Sequence, residues 1–455
     1  MFIMRAGEEL TTAKLDKFIQ HHKTNVLPRL EGLEKLYKPD DGYMVFNATA
    51  NHTDIKIAHP YAAYITDINV GFFMGEPVKY DAYKQAGQEQ GGESGQPADA
   101  DELVAEVKRV GNYNDEASTN AALAEDASIF GWACELLYMD EGSHIRFKTI
   151  SPKETIIIRD DTIEADILYA IRVYSRSGIL DNNAKTEYAD VYSRTEITHY
   201  TRTEGGNWAS GADAEPHRFQ QVPINPYPNN SRKIGDFESV IGLIKAYDSV
   251  QSNAVNEQED FRNAYLKLLG MEDTENDEIA KMKKNRVLLL PEGGQADWLV
   301  KPQVDTALEN LRKRIENDIH KLSKTPSFTD EHFAGNASGV AMEHKKLPLE
   351  NNAAKKEREF RKGLQRRIEL ICEMLEPLRG KKYDFTQVNI TFTRNAPQSL
   401  VEMANVVGKL SGLLSERTLI SQLPLDVDPD TEAAQKRTEA EDGYSLPVPH
   451  EHSEG

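Results

Sequence analysis

The chain is 455 residues long and carries 54 Lys and Arg against 74 Asp and Glu, a formal net charge of −20. A chain of this length buries sizeable cores and is expected to fold as two to four packed units. Proteins that wrap nucleic acid are usually basic, because phosphate contacts dominate their affinity. The acidic balance therefore argues against tight DNA binding, although not against DNA passing close by.

Glu8 and Glu9 stand where a secretory signal needs its apolar run. Residues 9–37 read as helix, with Pro28 marking a break or a second start. HPYAAYITDINVGFFMGEP has a helical apolar stripe that ends at Gly75 and Pro77. Asp67 and Asn69 interrupt it, so no membrane span is expected and the chain reads as soluble and intracellular. Residues 81–100 have almost no large apolar groups and are expected to form a mobile surface loop. Two helices follow, Leu103 to Tyr113 and Asn120 to Phe130.

Next comes a β-rich block over 131–203. CELLYMDEG, HIRFKTISP, ETIIIRDD, DILYAIRVYS, EYADVYS and EITHYTRT are β-branched and aromatic runs separated by turn residues. Residues 204–216 read as a loop, and PINPYPNN (223–230), punctuated by proline, reads as a linker. Cys134 and Cys372 lie in apolar contexts and are expected to be buried free thiols.

Beyond the linker the pattern turns helical. Val240, Leu243, Tyr247, Val250, Ala254, Phe261, Tyr265 and Leu268 predict one helix over 236–269, closed by Gly270 and about 50 Å long. A charged insert leads to two short strands, RVLLLP and ADWLV. Thr306 and Glu309 form a capping box for a helix with the stripe Leu308, Leu311, Ile315, Ile319 and Leu322, ended by Pro326. A loop rich in Gly, Asn and Ser covers 326–346. A long helix follows, with Pro348 near its start and a stripe of Phe360, Leu364, Ile368, Ile371 and Leu375. VNITFT, two short helices over 398–411 and 415–423, and an acidic, unpatterned tail complete the chain.

The chemical motifs are decoys. DVDPD begins like a calcium loop with Asp426, Asp428 and Asp430, but Thr431 replaces the turn glycine and Arg437 the bidentate Glu. Ser338 in GNASG is one place late for a nucleophile elbow. Gly408-Lys409 lacks the rest of a P-loop, and His450 and His452 lack the spacing of a helical zinc pair. Asp160, Asp161, Glu164 and Asp166 cluster after an apolar strand and could hold Mg²⁺ for a two-metal nuclease. The competing reading is the charged turn of a β-hairpin, which the flanking apolar strands favour. KKEREFRKGLQRR (355–367) has seven Lys and Arg, read as a solvated helix face or as pairs to an acidic neighbouring subunit rather than as a nucleic-acid patch. No catalytic residue, cofactor or metal is expected.

Taken in order, several segments resemble the portal, or head-to-tail connector, proteins of long-tailed bacteriophages. They are VGFFMGEPVKY (70–80), GWACELLYMDEGSHIRFKTISPKETIIIRDD (131–161) and VPINPYPNNSRKIGDFESVIGLIKAYDSVQSNAVNEQEDFRNAYLKLLG (222–270). FTDEHFAGNASGVAMEHKKLPLENNAAKKEREFRKGLQRR (328–367) and LSERTLISQLPLDVDPDTEAAQ (414–435) continue the series. The resemblance implies an α+β subunit in a ring of twelve at one capsid vertex of the virion, made in the host cytoplasm, with a channel for double-stranded DNA. It divides the chain into a wing (1–235), a stem helix (236–269), a clip (270–304), a second stem helix (305–325) and a tunnel loop (326–346). A long wing helix and strand (347–397), a crown (398–441) and a disordered tail (442–455) follow. Asn336, Ser338, Gly339, Lys345 and Lys346 would then face DNA. Glu272, Lys281, Lys283, Lys284 and Trp298 would lie in the clip, which docks the large terminase subunit and the tail adaptor. Scaffolding and capsid proteins are the other implied partners. The rival reading is a metal-dependent nuclease built on Asp160, Asp161, Glu164 and Asp166.

Overall fold

The structure is a computed structural model. It describes residues 2–39, 42–49, 52–83, 97–176, 186–203, 206–211, 213–262, 265–269, 295–299, 305–327, 339–395 and 407–412, with isolated positions at 277, 280, 281, 284, 419, 420, 432, 435, 436 and 438. The chain divides into two units, Met1–Arg394 and Asn395–Gly455. In the second, residues 407–410 make a helical turn.

The first unit is built around a seven-stranded sheet and a layer of helices. β1 (Phe2–Met4) runs parallel to β7 (Thr155–Asp160), and β8 (Ile167–Arg176), β9 (Thr186–Tyr192) and β10 (Glu196–Arg202) extend the sheet antiparallel. β11 (Ala209–Ser210) and β12 (Glu215–Pro216) both pair with β10. α1 (Thr12–His21) covers one face, where Leu15 and Ile19 meet Ile156, Ile158, Ile171 and Val191. A second sheet covers part of the other face. It is formed by β5 (Trp132–Met139), β6 (Ile145–Ile150) and β13 (Ile224–Pro228), with Cys134, Ile150, Val222 and Ile224 packed on Ala170 and Tyr192. Because β7 is covered on both faces, its sequence is a continuous apolar run rather than an alternating one.

The predicted break at Pro28 is a π-helical turn, His22–Val26, that carries α1 into α2 (Leu27–Tyr37) without interruption. Pro28 has no N–H to donate, so it is tolerated at the start of the new helix. α3 (Tyr61–Met74) packs against α2, against α5 (Glu116–Phe130) and against α8 (Gly339–Arg379), which explains why it is apolar on several sides. α4 (Pro97–Tyr113) and α5 complete this layer. Its core joins Phe73, Leu103 and Leu123 to the expected α8 stripe of Phe360, Leu364, Ile368, Ile371 and Leu375, all buried. Both cysteines are buried free thiols, and burial pushes Cys372 up to about 12. Among the described residues no helix is long and apolar enough to cross a membrane.

Four expectations need correction. PINPYP is not a linker: it is strand β13, paired along its length with β5 and largely buried. It tolerates proline because β13 is the edge of its sheet. The Pro223 carbonyl accepts from Leu137 N–H, so Pro226 and Pro228, of opposite parity, place their missing donors on the open side. The helix expected over 236–269 is α6 (Ile241–Arg262), preceded by a 3₁₀ turn at Glu238–Val240 and about 33 Å long. Tyr265–Leu269 is instead strand β14, because its ladder partner β15 (Gln295–Leu299) lies far along the chain, where local periodicity cannot register it. RVLLLP lies outside the described residues. The long helix begins at Gly339 rather than near Pro348, because Ala341, Met342, Glu343, Lys345 and Lys346 are good helix formers and Pro348 is carried inside. The low-complexity loop is also shorter than expected. Asp81 and Ala82 end β4 (Lys79–Ala82), which pairs with β16 (Val388–Thr391), and Pro97 starts α4, while 84–96 lie outside the described residues.

Candidate functional site

α6 and α7 (Asp305–Ser323) form an antiparallel pair, since Ile241 and Ile244 at the start of α6 share a core with Ile315 and Ile319 near the end of α7. Hairpin β14–β15 lies between them in the chain. Within its stripe, α7 buries only Ile319 fully: Leu311 remains 47% and Leu322 54% exposed. Glu309, the expected capping partner of Thr306, is held instead by Arg312 at 2.7 Å and Lys313 at 3.7 Å, inside a helix that already starts at Asp305.

A second hairpin braces α6. β2 (Met44–Thr49) pairs with β3 (His52–Ile57), and the free edge of β3 is satisfied by side chains of the helix. Asn256 Oδ1 accepts from Ile55 N–H at 2.7 Å and its Nδ2 donates to Ile55 C=O at 3.1 Å. Ser252 Oγ accepts from Ile57 N–H at 2.9 Å, and Asp248 Oδ1 accepts from His59 N–H at 2.8 Å. Residues four apart on the helix thus serve alternate residues of the chain, Ile55 and Ile57 in the strand and His59 just past its end. Asn256→Ala removes both bonds to Ile55 and is expected to destabilise this attachment by about 1–3 kcal/mol. Hydrogen exchange should then rise in peptides covering 43–58 and stay unchanged in the seven-stranded sheet.

The basic run 355–367 on α8 is solvated on one side, where Lys355, Arg358 and Lys362 are exposed, and turned inward on the other. Lys356 is buried against Asp236, which also accepts from Ser128 Oγ and from Asn229 Nδ2 at 2.9 Å. Arg361 pairs with Glu357 and Lys362 with Glu359, while Arg366 donates to Gln221 Oε1 and Val222 C=O. Arg367 reaches deepest. Its Nη2 lies 2.6 Å from Glu135 Oε1, its Nε donates to Glu135 Oε2 at 3.1 Å and its Nη1 to Glu116 Oε1 at 2.7 Å. Tyr227 donates to Glu135 at 2.8 Å, and Asn225 Nδ2 donates to Gly363 C=O at 2.8 Å. Gly363 is required here, because a Cβ would come within 2.4 Å of the Tyr227 ring. Burial alone pulls the Arg367 guanidinium down, but Glu135, Tyr227 and Glu116 outweigh it and hold it well above its ordinary range. The signal missed in the sequence is registration. Lys356 and Arg367 fall on the same three-and-four spacing as Phe360, Leu364 and Ile371, so they belong to the buried stripe.

A sequence-family model described as "Phage portal protein, SPP1 Gp6-like" matches residues 16–444. The chain belongs to this family. It is 25% identical over 467 aligned positions to the portal protein of Bacillus phage SPP1, covering 95% of this chain and 88% of that one. It is 24% identical over 421 positions to the portal protein of Clostridium phage phiCD119, covering 87% of each.

In this portal protein the acidic cluster is a hairpin turn. Asp160 Oδ1 accepts from Thr162 N–H at 3.1 Å, Thr162 Oγ1 at 2.7 Å and Asp166 N–H at 3.1 Å, and Ala165 turns the chain at φ 52°. Asp161 Oδ1 accepts from Ala6 N–H at 3.1 Å, fastening β1 beside the turn. Among the described residues no three His, Cys, Asp or Glu groups stand where they could hold a metal ion. Gly339 is the first residue of α8, and Lys345 and Lys346 are half-buried on its first turns. Lys281 and Lys284 are exposed, and Trp298 lies on β15 opposite Leu266. Asn336, Ser338, Glu272 and Lys283 lie outside the described residues, as do the calcium-like and His450–His452 decoys.

Proposed function

We propose that this portal protein closes into a ring of twelve subunits around a channel for double-stranded DNA, set at one capsid vertex, and that it acts without catalysis. The observation that carries this reading is the family match over 16–444, which spans the α6–hairpin–α7 module. In this reading α6 and α7 are the stem. The half-exposed Leu311 and Leu322 supply apolar surface for a head-to-tail contact, the kind that generates rings when its rotation closes.

The segment 270–304 is the clip, which docks the large terminase subunit and later the tail adaptor through Glu272, Lys281, Lys283, Lys284 and Trp298. The segment 326–346 faces DNA with Asn336, Ser338, Gly339, Lys345 and Lys346, and 398–441 form the crown. Scaffolding and capsid proteins are the remaining partners. An acidic wall suits a conduit. Each Lys or Arg contact to phosphate releases about 0.9 counterion, so a handful of contacts would bind DNA too tightly to slide. The α8 cations held inside the subunit are withdrawn from that role.

Negative-stain electron microscopy with native mass measurement tests the ring. A closed ring with a central hole and a mass near twelve chains is expected. Protein that stays monomeric or dimeric across salt, Mg²⁺ and concentration would overturn it.

A further inference from the structure

The two chain segments on either side of residues 328–338 each bring a residue, Thr325 and Asn352, to one buried side chain. Asn69 lies in α3 with 2% of its surface exposed. Its Nδ2 donates to Ile65 C=O at 2.8 Å and to Thr325 Oγ1 at 2.9 Å, and its Oδ1 accepts from Asn352 Nδ2 at 2.8 Å. Thr325 is fully buried just after α7, where Lys324 at φ 62° turns the chain. His320 Nδ1 lies 3.1 Å from the Thr325 carbonyl, and Tyr64 donates to Pro326 C=O at 3.1 Å. On the other side Asn352 belongs to α8 and approaches Asp236 Oδ1 at 3.5 Å, and Asp236 stands at the entry to α6.

We infer that Asn69 is a positioning residue that couples the base of α7 to α8. Only a primary amide offers this combination, two donors for Ile65 and Thr325 and an acceptor for Asn352. A buried polar group that loses a partner is penalised, so displacing either Thr325 or Asn352 destabilises the bond that holds the other. Thr325 and Asn352 are not hydrogen-bonded to each other, and the coupling passes through Asn69. The same chain of side chains continues through Asp236 to α6, so both helices of the pair and α8 answer to one joint. The inference deepens the portal reading, whose DNA-facing segment lies between these two anchors, but its physical content concerns the folded chain alone.

Hydrogen-exchange mass spectrometry on the full chain tests it with Thr325→Val, a near-isosteric change that removes only the hydroxyl. Exchange is expected to rise several-fold in peptides covering 339–356 as well as in those covering 319–327. Asn352→Ala is expected to produce the reciprocal rise in 319–327. In an Asn69→Leu background neither change should add to the distant segment. A rise confined to the mutated segment, or one that persists unchanged in Asn69→Leu, would overturn the coupling and leave Asn69 a local structural residue. If Asn69→Leu fails to fold, judged by exchange in the seven-stranded sheet, the reciprocal pair of single variants decides alone. A wild-type chain that forms no ring would sink the portal assembly without changing these readouts.

Discussion

Arg367→Met is expected to lower the stability of the Met1–Arg394 unit by about 3–5 kcal/mol, the loss typical of removing one partner from a buried ion pair. Glu135 has no exposed surface and Arg367 has 2%. Without the guanidinium, the Glu135 carboxylate is left inside the protein with Tyr227 as its one close donor, and Glu116 also loses a partner. The planar fork also packs on the Phe147 ring, 4.4 Å from its centroid, so Arg367→Lys should recover only part of the loss. Urea unfolding followed by tryptophan fluorescence measures the effect, with Trp132 on the same strand as Glu135. Adding Glu135→Gln to Arg367→Met should restore much of the lost stability, because the uncompensated charge is then gone. A loss below about 1 kcal/mol in Arg367→Met would show that the pair is not the internal brace described here.

Asp236→Asn is expected to destabilise by about 3 kcal/mol or more near neutral pH. The side chains of Asp236 and Lys356 are only 4% and 5% exposed, so the variant keeps a buried ammonium without its counter-ion. Denaturant midpoints for both proteins near neutral pH provide the comparison. A loss below about 1 kcal/mol would mean that the pair does not hold the entry to α6.

Much of the fold was legible because its elements are locally consistent. The six strands from β5 to β10 are alternating or continuous β-branched runs cut by turn residues, and α8 shows its stripe over five positions. The hairpin reading of the Asp160 cluster was legible for the same reason, since IIIR and ILYAIRVY flank it. What failed depended on partners remote in sequence. Tyr265 and Leu268 fit a helical spacing, and only β15 makes them strand. PINPYP reads as a linker until β5 provides a ladder that proline can join at an edge. The cations of 355–367 look like surface because charge is usually solvated. The carboxylate partners of the two buried ones, Lys356 and Arg367, sit far upstream, at Glu116, Glu135 and Asp236.

The ladder between α6 and β3 works like a vernier. Four helical residues advance about 6.0 Å, while two antiparallel strand residues advance about 6.8 Å. Each rung therefore drifts by roughly 0.8 Å, and the two intervals spanned by Asp248, Ser252 and Asn256 accumulate roughly 1.6 Å. Side-chain flexibility absorbs that much, but a fourth or fifth rung would carry its acceptor out of hydrogen-bond range. The mismatch of the two repeats thus caps how far a strand can be bolted along this helix. A longer brace would need a bulge in β3 or a kink in α6, so the length of the attachment is set by arithmetic between two backbone geometries.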